Sequence, residues 1–563
     1  MHQTLAVACE PVHRSDRQTQ DGRPGGCLYA SLDVAWQLCH VVLDEKKRPI
    51  HHEKTGLTFE RISHTARMET LLRLFPSTLS PDVHVRRASE QELHQLESQP
   101  GMLAASFQLV ASPEVDASIR QAAAIYVKNR VSRTWDASLA RGFSDMPSAV
   151  SDQDKEVVRS GLLPTIASLP PTLRVHIASA MYSIVRCDFP QAWPTLTEEI
   201  VKVLSSGEQL QIFAGVRALL ELVRAFRFDC TDSKLESIVS HTFPTLLATI
   251  SALMDSDHSD LPAVGEIVYY AMKTYKTSMM VTLTQHQQSN ESIVPWGSVM
   301  LRIVQKSVVT DADADAREKA PWWKAKKWAF YSLNKLFSRY GTPSQLAASM
   351  KMYKPFAETF IHNFAPEILK AYLHTADGIV SQHVWVSKPV LRHLLTFFSE
   401  CIRPKSMWQL LRPHMQQIIE TLVYPHLCFS DEDEELWELD PIDFVRLGSD
   451  PFEELGTPSS AASMLLNVTV TRRTKSMFEP TLTFITHVLN AYPAQCTARQ
   501  FDGALRMCMT ICQTMVHHEN VQNMLDAFFV QHVLPVLKSP EPFLRLRACA
   551  LIHAFDSAGM KWQ

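Results

Sequence analysis

The segment from Asp116 to Trp135 constrains the fold more than any other part of the sequence. Its apolar residues recur at the spacing that places them on one stripe of an α-helix: Ile119, Ala122, Ala123, Tyr126 and Val127. The alanines allow a neighbouring helix to approach closely, while basic side chains occupy another face. One helix cannot bury such a stripe alone, so the pattern predicts a stacked array of helix pairs.

The rest of the chain repeats this pattern, with apolar helical segments separated by proline and polar residues. The units recur at roughly 40 to 50 residues, which is the period of HEAT-type helical hairpins. Glycine is scarce, at 17 of 563 residues, while Leu, Ala, Met and Gln recur, and this composition favours helix over sheet. We therefore predict an all-α fold, an α-solenoid of HEAT-like hairpins (an ARM-type superhelix) with one concave face.

Composition narrows the class of protein. A net charge of -4 does not indicate a basic nucleic-acid-binding domain. The 11 cysteines are scattered without a CxxC pair, which is typical of reduced thiols in a cytosolic or nuclear protein. The sequence shows no apolar run near the roughly 20 residues that span a bilayer, and no signal-peptide core. We predict neither membrane insertion nor direct nucleic-acid binding.

Three stretches depart from the regular pattern. Residues 1–67 have little periodicity and predict a disordered extension, or an upstream segment preceding a natural start at Met68. Residues 430–460 are acidic and rich in Asp-Pro pairs, and predict a long flexible loop. In the last apolar helix, Ala550, Leu551 and Phe555 lie close to the end of the chain, so we expect an exposed apolar patch there.

No catalytic, cofactor or metal motif is found in the sequence. It contains no Gly-rich phosphate loop, HExxH or GxSxG motif. The pairs His51-His52 and His517-His518 lack an accompanying Cys or carboxylate framework, so a metal site is not expected. Three lysines beside three tryptophans could contact nucleic acid, but the tryptophans fit a buried stripe better (Lys324, Lys326 and Lys327). We predict a protein that is not an enzyme.

Several motifs resemble one family. The motifs RRASEQEL (86–93) and IRQAAAIYVKNRVSRTW (119–135) resemble the importin N-terminal domain of the importin-β superfamily. PWWKAKKWAFYSLNKLFSRYG (321–341) and SDEDEELWELDPIDFVR (430–446) resemble its importin seven/eight branch. The resemblance runs from Met68 to the end. Since family members begin near Met68 and are nearly twice as long, we expect this to be a partial chain lacking the C-terminal half.

The resemblance implies an organisation and a function. It implies a Ran-binding importin N-terminal domain over 68–170 and HEAT solenoid over 171–429 and 461–563, interrupted by the acidic loop 430–460. It implies a nuclear transport receptor that binds Ran-GTP and carries protein cargo through the pore, shuttling between cytoplasm and nucleus. Implied partners are basic cargo such as ribosomal proteins or histones, nucleoporins, and importin-β. Two alternatives stay open: an exportin of the cellular apoptosis susceptibility type, and a non-transport HEAT scaffold.

The resemblance also implies two sets of contact residues. Lys128, Asn129 and Arg130 lie on a helix of the family's Ran-facing surface, and we expect Lys128 and Arg130 to be exposed. The acidic run is expected to contact Ran or cargo and comprises Asp431, Glu432, Asp433, Glu434 and Glu435. The alternative for this run is an ordinary solvated loop.

Overall fold

The computed structural model describes residues 64–136, 149–229, 233–308, 313–449 and 456–561. The described residues form helices and connecting turns and contain no strand, which confirms the all-α prediction. The predicted N-terminal extension lies outside the described residues up to position 63. The first described helix begins at His64, slightly upstream of the expected boundary at Met68.

Fourteen α-helices cover the described residues up to position 335. They are α1 (His64–Thr78), α2 (Val83–Leu96), α3 (Met102–Ala111), α4 (Ala117–Thr134), α5 (Asp152–Ser168), α6 (Pro171–Asp188), α7 (Leu196–Leu204), α8 (Gln209–Phe226), α9 (Lys234–Asp255), α10 (Pro262–Ser278), α11 (Gln285–Gln288), α12 (Asn290–Gln305), α13 (Ala314–Lys319) and α14 (Pro321–Lys335).

The remaining described α-helices follow in the C-terminal part. They are α15 (Lys354–Asn363), α16 (Ala365–Ser381), α17 (Lys388–Cys401), α18 (Lys405–Ile418), α19 (Asp431–Leu439), α20 (Pro441–Ser449), α21 (Pro458–Arg472), α22 (Thr474–Ala491), α23 (Ala498–His517), α24 (Leu525–Phe528) and α25 (Pro542–Ser557). Short π-helical turns at Leu336–Tyr340, Ile419–Val423 and Phe529–Val533 extend α14, α18 and α24.

The helices from residue 64 onward stack in two layers. In one layer each helix packs on the next; we call it the continuous layer, and it comprises α4, α6, α8, α10, α14, α17, α21, α23 and α25. Helices of the second layer pack against it, such as α7 on α8, α12 on α14 and α22 on α23. Each hairpin contacts mainly its neighbours, so the predicted solenoid of HEAT-like hairpins is confirmed.

Helix α4 occupies the central position that its small residues predicted. Ala123, Ala124 and Val127 are fully buried, and the helix packs between α3 and α6. Ile119 and Tyr126, by contrast, are only partly buried, so the buried stripe is rotated relative to the predicted one. The rotation follows from burial on two sides, because α4 must face both neighbours.

The acidic segment is helical rather than a loop. The Ser430 hydroxyl accepts a hydrogen bond from the Asp433 backbone N–H (3.1 Å), and the Asp433 carboxylate accepts one from the Ser430 N–H (2.9 Å). This capping box starts α19, and its carboxylates lie at the positive end of the helix dipole. Trp437 of α19 and Phe444 of α20 then hold the two helices together, with ring centroids 5.4 Å apart. The loop prediction was wrong for residues 431–449; residues 450–455 lie outside the described residues.

Of the three residues named for the apolar patch near the end of the chain, Leu551 and Phe555 are fully buried and Ala550 is half-buried, while exposed apolar side chains lie on the preceding turns at Val530 and Leu534. The Phe555 ring contacts that of Phe529 at 5.2 Å, and the buried Met560 lies over the end of α25, where its N–H donates to the Phe555 carbonyl (3.1 Å). The sequence pattern did not reveal this packing because the covering residues come from outside the helix.

Helix α9 is apolar and long enough, at 22 residues, to cross a membrane by length and composition alone. The sequence prediction that no such run exists was therefore too strong. Residues spaced along one side, from Leu235 through Phe243 to Ile250, are buried against neighbouring helices. Since that side is occupied by protein, α9 is a solenoid helix here.

Candidate functional site

The predicted Ran-facing residues divide between surface and interior. Asn129 is exposed and Lys128 half-buried, but Arg130 is only 2% exposed. Its guanidinium donates to the Thr134 hydroxyl (2.6 Å) and to the Glu97 carbonyl oxygen (2.9 Å). Burial lowers the pKa of Arg130. The expectation that Arg130 is exposed was wrong, because its side chain leaves α4 on a different side from the neighbouring Asn129 and reaches the Glu97 carbonyl at the end of α2.

A polar network surrounds Arg130 and fixes the first repeats. The buried Glu97 carboxylate accepts from Arg133 of α4 at 3.2 Å. Asp154 of α5 accepts from the backbone N–H groups of Gly101 and Ala104, both at 2.9 Å, and so satisfies donors at the start of α3. These charged groups therefore hold α2, α3, α4 and α5 together. The surface left for a partner consists of Lys128 and Asn129, with the exposed Arg133 beside them.

The acidic run lies on one turn of α19 and is largely paired within the chain. Arg499 of α23 forms ion pairs with Asp431 and Glu434, and Lys388 of α17 with Glu432 (2.7 Å). Asp433 closes the capping box, while Glu435 makes no ion pair among the described residues. The run therefore bridges two helices of the continuous layer. All of these ion pairs are exposed, so each is worth little and can open.

The helix hairpin formed by α19 and α20 also presents exposed apolar side chains. Leu439 is 84% exposed and Ile442 is 82% exposed, on either side of Asp440. The Asp440 carboxylate accepts from the N–H groups of Ile442 and Asp443 (both 3.0 Å) and so caps α20. This cap fixes the chain reversal that places both apolar side chains in solvent.

The tryptophans near the start of α14 belong to the core, as the sequence indicated. Trp322 and Trp323 are buried. Lys326 is buried as well; its ammonium donates to the Val304 carbonyl (2.8 Å), and burial lowers its pKa to about 8. Lys327 is only half-buried and lies over the ring of Trp328, 4.8 Å from its centroid. Because Trp322 and Trp323 are buried, their rings offer no surface on which a nucleic-acid base could stack.

Sequence reasoning missed a group of cations that the fold brings together on the continuous layer. We call this group the basic face; it comprises Arg217 and Arg224 of α8, Lys273 and Lys276 of α10, Lys327 and Lys335 of α14, and Arg392 of α17. Each helix supplies only one or two of them, and only Lys327 belongs to a charge run that the sequence analysis singled out, so no local run marks the whole site. The sequence pattern that could have revealed the basic face is the recurrence of Lys or Arg close to Tyr or Trp in successive helices.

Among the residues that the structure describes, no group of three or more His, Cys, Asp or Glu side chains is placed to hold a metal ion. In the pair singled out in the sequence, the His517 ring contacts the Gln513 carbonyl (2.8 Å) and the His518 ring packs on Phe478. Both rings are thus used within the local packing.

Two protein families match parts of the chain. The Importin-beta N-terminal domain family matches residues 89–168, and the Cse1 family matches residues 345–560. Importin-8 of Homo sapiens is 26% identical over 499 residues, which cover 87% of this chain and 47% of the relative. An Importin beta-like SAD2 homolog of Arabidopsis thaliana is 29% identical and covers 84% of this chain and 45% of its own length. The chain thus spans about half the length of these relatives.

Solved structures share the fold. The exportin Cse1 in its cargo-free, cytoplasmic state aligns with a TM-score of 0.65 at 18% identity, covering 87% of this chain and 52% of that one. Kap95p in a structure with RanGDP aligns with a TM-score of 0.55 at 16% identity, covering 88% and 50%. At these identities the likeness concerns the solenoid alone.

Proposed function

Because the chain belongs to the importin-β superfamily, we propose that it is a nuclear transport receptor that binds Ran-GTP and carries protein cargo into the nucleus. The observation that carries the proposal is the similarity to Importin-8, which extends over 87% of this chain rather than over one motif. The stacked layers support it, because a solenoid offers a long surface to a protein partner.

The proposed mechanism uses the flexibility of the stack. Each hairpin contacts mainly its neighbours, so small changes between hairpins add up along the chain. Cargo and Ran-GTP would each bind a different conformation better, and Ran-GTP would then shift the population and release cargo. Linkage requires the reverse effect too, so cargo would lower the affinity for Ran-GTP. The receptor performs no chemistry in this scheme, and GTP is hydrolysed on Ran.

We place the Ran contact on the exposed edge of α4. Lys128 and Asn129 reach the surface there, while Arg130 serves the interior and is not included. The neighbouring Arg133 adds positive charge to the same edge, although its guanidinium also contacts Glu97. Support for this placement is the resemblance of 119–135 to the importin N-terminal domain, together with the exposure of Asn129 and Arg133 and the partial exposure of Lys128.

We propose the acidic turn of α19 as a second contact for Ran or for basic cargo such as ribosomal proteins or histones. Glu435 is exposed, and the pairs to Arg499 and Lys388 are exposed enough to exchange for a partner's cations. A partner would therefore compete with contacts inside the chain, and its binding would be sensitive to salt.

The proposal extends to location and further partners. A receptor of this kind would shuttle between cytoplasm and nucleus, contact nucleoporins at the pore, and associate with importin-β. This location and these partners are inferred from membership of the family, and no particular residues of the described chain are assigned to them.

The export direction is the second candidate. The observation that favours it is the match of residues 345–560 to the Cse1 family. The Pro321-Trp322-Trp323-Lys324 motif, which resembles the importin seven/eight branch, favours import. A HEAT scaffold without transport function would bind neither nucleotide state of Ran.

We expect the chain to bind GTP-locked Ran and not Ran-GDP, as measured by calorimetric titration. Lys128→Glu should weaken this binding by about 1–2 kcal/mol, because it places a carboxylate where the proposed contact is basic. Lys202→Glu is the matched control, since Lys202 is exposed on α7 of the other layer and should have little effect. Equal binding of both nucleotide states would reject the transport function, and equal losses in both variants would reject the α4 contact.

A further inference from the structure

The basic face combines cations with aromatic rings from adjacent helices. Arg217 of α8 lies over Tyr270 of α10, with the guanidinium carbon 4.5 Å from the ring centroid. One helix further, the Lys276 ammonium lies 5.2 Å from the Trp328 ring centroid and 5.5 Å from that of Tyr331. These contacts repeat from helix to helix, so the cations form a continuous track across α8, α10 and α14.

The track continues along α14 and onto α17. Lys327 covers Trp328 at 4.8 Å, and Lys335 lies 5.8 Å from the Tyr331 centroid. The Tyr331 ring meets the His393 ring edge-to-face at 5.7 Å, and Arg392 lies next to it on α17. The aromatic side chains therefore hold the ammonium and guanidinium groups at the rim of the core.

The acidic groups around this track are fewer than the cations. Glu221 is buried and pairs with Arg217 (3.2 Å) and Arg224 (2.8 Å). Glu266 faces Arg174 and Tyr270 at one end, and Glu318 faces Lys327 while accepting from the Lys388 backbone N–H at 2.7 Å. Glu221 also faces Lys273, whereas the charged groups found to face Lys276 and Lys335 are cations, so the centre of the track keeps an excess of positive charge.

Burial and crowding both act on these lysines. Burial, followed by repulsion from neighbouring cations, lowers the pKa of Lys273, Lys276, Lys327 and Lys335. A group of like charges held together in partial burial is unfavourable by itself, and an anion placed across it relieves that repulsion.

We propose that the basic face binds an acidic, extended polypeptide segment, whose Asp and Glu carboxylates lie across α8, α10, α14 and α17. Guanidinium and ammonium groups bind carboxylates through charge-assisted hydrogen bonds. The site goes beyond the proposed transport function, because it selects a segment by its charge whichever protein carries it.

The spacing of the helices sets the length of the segment. Three steps of about 8–10 Å between packed helices give a span of about 25–30 Å. An extended chain advances about 3.3 Å per residue, so a segment of about nine residues reaches from α8 to α17.

The geometry favours a peptide over a nucleic acid. Single-stranded nucleic acids are held by stacking their bases on free aromatic faces. Here the rings of Trp328 and Tyr331 are already covered by the chain's own lysines. The face therefore offers charge without stacking surfaces.

The test measures fluorescence anisotropy of a labelled nonapeptide of alternating Glu and Ser with the full chain, in the absence of Ran. A Gln/Ser peptide and a nine-nucleotide oligouridylate serve as comparisons. We expect the acidic peptide to bind at least about tenfold more tightly than either, with an affinity that falls as salt rises. If the Gln/Ser peptide binds equally well, or the oligouridylate binds more tightly, the proposal is overturned.

Matched variants locate the site. Lys276→Gln with Lys327→Gln should weaken binding of the acidic peptide about tenfold, and Arg at both positions should restore it. Lys202→Gln with Lys370→Gln removes two exposed charges from the other layer and should leave binding unchanged. Lys335→Gln with Arg392→Gln repeats the test if circular dichroism shows the first variant to be misfolded. Equal losses in basic-face and control variants would contradict the assignment, and would leave the Ran proposal untouched because Ran is absent.

Discussion

Arg130→Glu is expected to lower the free energy of unfolding of the first repeats by about 3–5 kcal/mol. The substitution removes donors to Thr134 and to the Glu97 carbonyl, and it buries a carboxylate beside the buried carboxylate of Glu97. Two like charges would then share a site from which water is excluded. The measurement is chemical denaturation followed by circular dichroism, with hydrogen exchange to identify the unfolding segment.

Lys128→Glu is the matched control on the same helix. The Lys128 side chain is half-buried and forms no ion pair with the residues that the structure describes. The substitution should therefore change the free energy of unfolding by no more than about 0.5 kcal/mol. If both variants destabilise the protein to the same extent, burial of Arg130 is not the cause. If Arg130→Glu leaves stability unchanged and instead reduces Ran binding, the placement of Arg130 in the interior is contradicted.

The second large effect is expected at Asp502, near the start of α23. Its carboxylate is 1% exposed and accepts two hydrogen bonds from the Arg547 guanidinium of α25, at 2.8 and 3.3 Å. Asp502→Ala removes the buried carboxylate that accepts both of these hydrogen bonds, and breaking such a buried pair typically costs about 3–5 kcal/mol. Because a solenoid transmits stability mainly between neighbours, α23 and α25 should unfold at lower denaturant concentration than α4 to α10.

Two further variants separate the ion pair from simple loss of a side chain. Glu479→Ala removes an exposed carboxylate from α22 and should change stability by less than about 0.5 kcal/mol. Replacing both partners, by Asp502→Leu with Arg547→Met, should recover much of the loss, since apolar residues of similar volume remove both charges of the pair together. A double variant as unstable as Asp502→Ala would show that packing around Asp502, rather than charge, dominates.

Helix periodicity allowed the solenoid to be predicted, because each helix must bury one stripe against its neighbours. In the Asp116–Trp135 segment, periodicity predicted the helix but not the orientation of every side chain. Its spacing identified a central helix, yet the orientation of Arg130 depended on the Glu97 carbonyl, which lies far away in the sequence. A basic side chain on an amphipathic helix is predicted to be exposed unless the buried group that accepts its hydrogen bonds is known.

The acidic segment shows a different limit. Charge and Asp-Pro pairs predicted a loop, but local capping chemistry decided the structure, since Ser430 and Asp433 satisfy each other's backbone N–H groups. The capping box was visible in the sequence as Ser-x-x-Asp and was outweighed by composition. The basic face could not be found in this way, because its cations approach one another only when four helices stack.

The measurement that tests the central claim most directly is the effect of Ran-GTP on cargo affinity. A core histone, labelled with a fluorophore, serves as the basic cargo, and its dissociation constant for the chain is determined with and without saturating GTP-locked Ran. Import predicts that Ran-GTP weakens histone binding, by about tenfold for a coupling of 1.4 kcal/mol, while Ran-GDP has no effect. Tighter histone binding in the presence of Ran-GTP would contradict the import function and establish export in its place.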